Sequence, residues 1–256
     1  MDKYKILFVY AHPDDESLWS GGTLSSFNKF DFIDTYIAVL SGKNSERYQE
    51  FKEAVQIINP TKQAVSPHPL AKTGNVLLTD VADNLFLCLE EMSERLDEFD
   101  LVVTHSYYGD EHAHPQHMQV FLEIQKLCSN SEVPLAFVSF MPIPLLTLTP
   151  LLVDLRRGNG LHLLGMYRCN DHASPAISKL RLPCTPEYFI QFKVDQQNKN
   201  KILNCYQSIN LREHEEVYAA WDSSVEGYYL LDQKGLRPFI QIQKALKPPS
   251  RHKLTF

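Results

Sequence analysis

An α/β fold built on a mostly parallel sheet is predicted by three features of the sequence. Ile6 to Ala11 (ILFVYA) and Leu101 to Thr104 (LVVT) are continuous apolar runs, as strands covered on both faces require. Between them, short apolar runs alternate with longer segments of helical character. Both apolar runs open directly into segments rich in histidine and carboxylate. Such alternation reads as βαβ units, which the right-handed crossover rule assembles into a parallel sheet with helices on both faces. The expected fold is a Rossmann-like three-layer sandwich with strand order 3-2-1-4-5. In that order strands 1 and 4 are neighbours at the switch point, where ligands bind beyond the carboxyl ends of the strands.

The elements follow in order. After the strand at Ile6 to Ala11, Ser17 to Lys29 reads as a first helix, Phe32 to Leu40 as a second strand and Ser45 to Ile58 as a second helix. Ala64 to Ser66 marks a short third strand. Thr79 opens a helical stretch to about Phe99, because Leu85, Cys88, Leu89, Met92 and Leu96 recur at helical spacing with acidic residues between them. Leu101 to Thr104 is the fourth strand. Past Phe140 the alternation fades into Pro-rich sequence. There a helix from about Gln196 to Gln207 and short strands at Tyr228 to Leu231 and Phe239 to Ile242 are expected. Without a repeat or a low-complexity linker, residues 1–256 read as a single domain, with a Rossmann-like core over 1–140 and an α+β appendage over 141–256 that shapes the substrate site.

Composition narrows the function. With 44% hydrophobic and 22% charged residues, the chain of 256 residues has ordinary globular composition. Its net charge of -6 argues against a nucleic-acid partner, which calls for an excess of Lys and Arg. The basic segment from Lys244 to Lys253 is diluted by prolines and reads as a solvated terminus. Five scattered cysteines, with no C-x-x-C pair, fit free thiols in a reducing compartment. The apolar run near the N-terminus is too short for a signal peptide, and no stretch approaches the roughly 20 apolar residues of a membrane helix. A cytoplasmic protein without a membrane span is expected.

The chemistry concentrates at two strand ends. His12-Pro13-Asp14-Asp15-Glu16 follows strand 1 and packs one imidazole and three carboxylates into five positions. Close carboxylates push each other's pKa upward unless a cation or hydrogen-bond donors offset the charge, so capping the next helix is a weak explanation for the whole cluster. His105 follows strand 4, and Gly109 to His117 (GDEHAHPQH) follows that. Pro115 suits a first helical position, which puts His114 at the cap and His117 one turn on, facing the same space. If the two clusters converge, His12, Asp15 and His117 offer the three-ligand set of catalytic zinc, one ion per chain. Iron(II) suits two histidines and a carboxylate as well. Asp14 and His114 remain as the acid and base that a hydrolase needs.

His-Pro-Asp-Asp-Glu after the first strand together with a later His-Pro-x-His resembles the PIG-L/LmbE family of deacetylases. Arg47-x-x-Glu50-x-x-x-Ala54 resembles the family's second-helix pattern, and the likeness runs over roughly residues 5 to 140, with faint echoes in Tyr206 to Ser208 and Glu226 to Tyr229. The resemblance implies removal of the acetyl group from an N-acetylglucosamine-type sugar, free or within a glycoconjugate, antibiotic or lipid-linked saccharide. It implies His12, Asp15 and His117 as metal ligands and Asp14 as general base. His114 would stabilise the oxyanion and protonate the amine, and Arg47 would bind substrate. His112 stands where relatives often have Tyr and is a further candidate for substrate contact. Gln116 stands where the family usually has Asp, and an amide cannot supply the same charge to its histidine neighbours. That departure is the one feature favouring a rival reading, a carbohydrate-binding protein that keeps the fold and has lost turnover. A nucleotide-dependent enzyme is disfavoured, since no G-x-G-x-x-G follows strand 1.

Overall fold

The computed structural model describes residues 3–70, 78–106, 114–139, 188–209, 225–231, 233–246 and 252–253. Strand β1 (Tyr4–Tyr10) lies at the centre of the parallel part of the sheet, paired along its length with β2 (Ile33–Val39) and at Ile6 to Val9 with β4 (Leu101–Thr104). Beyond β2 lies β3 (Lys62–Val65), and beyond β4 lies β5 (Leu135–Ser139), all parallel. The expected order 3-2-1-4-5 is therefore present. The sheet then continues through three antiparallel strands, β7 (Val225–Leu230), β6 (Tyr188–Lys193) and β8 (His252–Lys253), in the order β5-β7-β6-β8. The C-terminal strands thus extend the same sheet.

The pleat of β1 explains the three layers. Ile6, Phe8 and Tyr10 face helices α1 (Asp15–Phe27), α2 (Arg47–Ile58), α5 (Gln196–Leu203) and α6 (Leu236–Leu246). Leu7 and Val9 face α3 (Leu78–Met92) and α4 (Pro115–Asn130). Residues 6 to 10 are all fully buried, which is why the sequence shows a continuous apolar run where one solvated face would have given alternation.

Two sequence expectations change. The helical stretch from Thr79 ends at Met92, where Ser93 turns to positive φ (56°), and a 3₁₀ turn at Leu96–Glu98 leads into β4. Phe239 to Ile242, expected as a strand, lies in helix α6: Leu236, Phe239 and Ile242 are three apart and pack on one core face. Strand β6 was not anticipated.

Helix α1, which carries the first motif into the core, is buried along its whole length. Its small residues permit this. A Cβ on Gly22 would lie 2.5 Å from Cβ of Val194, so only glycine admits the segment entering α5 at that distance. Glu226 on β7 accepts the backbone N–H of Gly22 (3.0 Å) and Thr23 (2.7 Å) and pairs with the fully buried Lys199 of α5 at 2.9 Å. Tyr228, also on β7, donates to Ser20 at 2.9 Å. These contacts fasten the C-terminal strands to the helix that begins at the site. Among the described residues, no helix is long and apolar enough to cross a membrane.

Candidate active site

The site forms at the carboxyl ends of β1 and β4, the switch point of the sheet. Three side chains converge there. The Nδ1 of His12 lies 3.3 Å from Oδ2 of Asp15 and 3.3 Å from Nε2 of His117, and the latter two atoms are 3.4 Å apart. His12 lies in the loop after β1, Asp15 is the first residue of α1, and His117 lies in the first turn of α4, behind Pro115 and the cap residue His114. This near-equilateral triangle suits a cation: zinc bonds of 2.0–2.1 Å in a tetrahedron give ligand-to-ligand edges of about 3.4 Å. Among the described residues these three make the one group of His, Cys, Asp and Glu with a metal-holding arrangement.

The loop is held by the backbone. Ala11 donates its N–H to Nε2 of His105 (2.9 Å) and accepts from Ser41 Oγ (2.7 Å), while His12 N–H bonds Asp15 Oδ2 at 2.8 Å. Gly42, at φ 95°, crosses so close to Pro13 that a Cβ there would lie 2.7 Å from its ring, which leads the β2–α2 loop across the motif and places Arg47 beside it. Asp14 has φ 119° and ψ -36°, a strained conformation for a residue with a side chain. Glu16 braces it by accepting the Asp14 N–H at 3.1 Å. Glu16 in turn accepts from Ser17 Oγ and from the Tyr206 hydroxyl, both at 2.6 Å.

As a result, the adjacent aspartates diverge. Asp15 faces the histidines. Burial works to raise its pKa, but His117 and His105 outweigh this and hold the carboxyl well below its ordinary range. Asp14 instead meets Arg47, whose Nη1 donates to Oδ2 at 3.1 Å. Burial and then the Asp15 charge push the Asp14 carboxyl well above its ordinary range, with Arg47 opposing. The two neighbouring carboxyls are thus pushed in opposite directions. Glu16 is also raised, by burial against the two hydroxyl donors.

The imidazoles are stacked. His117 lies 4.0 Å from His105 and 4.3 Å from His114, centroid to centroid, with interplanar angles of 7° and 25°. His105 is fully buried, and its Nε2 accepts the Ala11 N–H at 2.9 Å and lies 3.4 Å from Asp15 Oδ2. Burial and the neighbouring His117 lower its pKa to about 4. Its role is to wedge His117 and anchor Ala11.

Of the residues singled out from sequence, His12, Asp15, His117, Asp14, His114 and Arg47 come together here. His112 lies outside the described residues. The contact from Tyr206 to Glu16 went unrecognised, although Tyr206 lies in a faint family echo. Gln116, the departure from the family pattern, faces His12, its Oε1 lying 2.7 Å from His12 Nε2. Glu50 of the second-helix pattern accepts the backbone N–H of Gln207 (2.8 Å) and Ser208 (2.6 Å), so it docks the segment after α5 onto α2.

Fold and site together define a class: a Rossmann-like α/β protein with a metal-capable His-Asp-His triad at the switch point. Solved structures that share the fold include deacetylases. A deacetylase triple mutant (Orf2*T) of the teicoplanin biosynthetic pathway matches with a TM-score of 0.56 at 13% identity, over 88% of this chain and 97% of that one. A deacetylase–teicoplanin complex from that pathway matches at 0.53 and 13% identity, and a zinc-inhibited form of the teicoplanin deacetylase Orf2 at 0.51 and 13%, both with the same coverage. No protein-family model and no curated protein matches the sequence. This likeness shows the fold, the one expected from the resemblance of the two motifs to the PIG-L/LmbE deacetylases.

Proposed function

We propose that this chain is a zinc-dependent N-deacetylase that removes the acetyl group from an N-acetylated amino sugar of the N-acetylglucosamine type and releases acetate. The observation that carries the proposal is the triangle of His12 Nδ1, Asp15 Oδ2 and His117 Nε2 beside a second aspartate, Asp14, held by Arg47. His12, Asp15 and His117 would hold the ion, and the donor set of two imidazoles and one carboxylate suits zinc and also iron(II). When bound, the ion supplies Lewis-acid polarisation of the amide carbonyl.

The remaining steps belong to the protein. Asp14 takes the proton of the attacking water, and its contact with Arg47 keeps the carboxylate aimed. His114, stacked on His117 at the cap of α4, delivers a proton to the departing amine and donates to the oxyanion. Arg47, with its side chain 43% exposed, has guanidinium N–H groups beyond the one given to Asp14 with which to bind sugar hydroxyls or an attached phosphate. The rival reading of a carbohydrate-binding protein drew on Gln116. Its amide contacts the metal-site residue His12, which supports a site maintained for a metal.

The test is acetate release from a panel of acetylated amino sugars, free, nucleotide-linked and lipid-linked, by protein loaded with zinc or iron(II), alongside metal analysis. One metal per chain and metal-dependent acetate release from at least one substrate are expected. A metal-loaded protein that binds acetylated sugars and releases no acetate would establish the binding-protein reading instead.

A further inference from the structure

The side chain of Gln116 bridges two parts of the site. Its Nε2 donates to the backbone carbonyl of Leu70 at 3.1 Å, which fixes the amide orientation and leaves Oε1 facing His12 Nε2 at 2.7 Å. An amide oxygen can only accept. His12 therefore carries its proton on Nε2 and presents an unprotonated Nδ1 to the triad, where Asp15 Oδ2, another acceptor, stands 3.3 Å away. Two acceptors facing each other at that distance repel unless a cation, or a proton from His117 Nε2, which is 3.3 and 3.4 Å from the two atoms, lies between them. With the proton on Nδ1, His12 would instead donate to Asp15, and a proton would occupy the position of the metal.

We infer that Gln116 is a positioning residue that selects the metal-competent tautomer of His12 and so sets the metal affinity of the site. The inference rests on the metal-site reading proposed above. An amide does this without adding negative charge to a pocket that already buries Asp14, Asp15 and Glu16. The hydrogen-bond chain runs from His12 through Gln116 to Leu70, so the segment ahead of α3 takes part in holding the ligand. Partners of this kind, which orient a ligating imidazole, are worth about 10- to 100-fold in metal affinity.

The experiment compares wild type, Gln116→Met and Gln116→Glu. Zinc affinity is measured by competition with a chromophoric chelator. The tautomer of His12 in the metal-free protein is read from two-bond ¹H–¹⁵N correlations in alkaline buffer. Gln116→Met, similar in length and without the acceptor, is expected to bind zinc about 10- to 100-fold more weakly and to shift His12 toward the Nδ1–H form. Gln116→Glu keeps an acceptor oxygen and should remain within about tenfold of wild type. The inference is overturned if Gln116→Met binds zinc as wild type does, if both variants lose affinity equally, or if His12 of the metal-free wild type is protonated on Nδ1. Failure of the wild type to bind one metal per chain would overturn the metal-site reading itself, a separate result.

Discussion

At the scale of single residues, the divergence of Asp14 and Asp15 underlies the proposed chemistry. Neighbours in a helical start would ordinarily share an environment. Here the positive φ of Asp14, worth on the order of 1–3 kcal/mol of strain, sends one carboxylate to Arg47 and leaves the other with the histidines. Asp14→Asn is accordingly expected to keep one zinc per chain and to lower kcat by about 10²- to 10⁴-fold, the usual worth of a general base. Asp15→Asn should lose metal first, as seen by metal analysis after dialysis. If Asp14→Asn strips the metal while Asp15→Asn keeps both metal and turnover, the roles are reversed. The triad and this pair were legible in the sequence because the residues sit in two compact motifs at strand ends. Their supports were not, because Gln116 meets His12 across 104 residues and Tyr206 meets Glu16 across 190, and a linear pattern carries no trace of such pairings.

At the scale of elements, α1 is the connection between the site and the C-terminal strands. A helix buried on every side has no solvated face to accommodate polar groups, so each must be met by a partner. Glu226 does this for the amides of Gly22 and Thr23 and for Lys199 together. Removing one partner of a buried ion pair typically costs about 3–5 kcal/mol, because the other charge keeps its desolvation penalty. Glu226→Gln should therefore lower the unfolding free energy read from denaturant titration by an amount in that range while a folded fraction retains wild-type zinc affinity; a loss under about 1 kcal/mol would show that Lys199 and α1 do not depend on the carboxylate. Elements of the parallel sheet were readable from their apolar runs, and α6 was not. The four residues Phe239 to Ile242 are apolar enough for a strand, and only contact with Phe27 and Phe192 reveals the helical face.

Across the whole molecule, charge is handled differently at the two ends of the sheet. The carboxyl end gathers Asp14, Asp15 and Glu16 with few cations beyond Arg47, which suits a site that takes up a metal. Near the opposite end, Glu94 follows α3 with its side chain only 6% exposed and receives Lys5 from β1 and Lys62 from β3, each at 2.8 Å, while Lys62 also donates to the Met92 carbonyl. The clasp joins three elements that are far apart in sequence. Burial works to raise the Glu94 carboxyl, but the two ammonium donors overcome it and lower its pKa from 4.5 to about 2. A carboxyl with a lower pKa when folded stabilises the fold above its unfolded pKa and loses that contribution as the pH falls. The stability from Glu94 is thus fully present above about pH 4.5 and disappears on descent toward about pH 2. Glu94→Gln should cost on the order of 1 kcal/mol at neutral pH, since the lysines are partly solvated. It should also flatten the fall in urea midpoint through that acidic window. Parallel pH profiles for variant and wild type would show that Glu94 does not contribute to acid unfolding and that the clasp is only a contact.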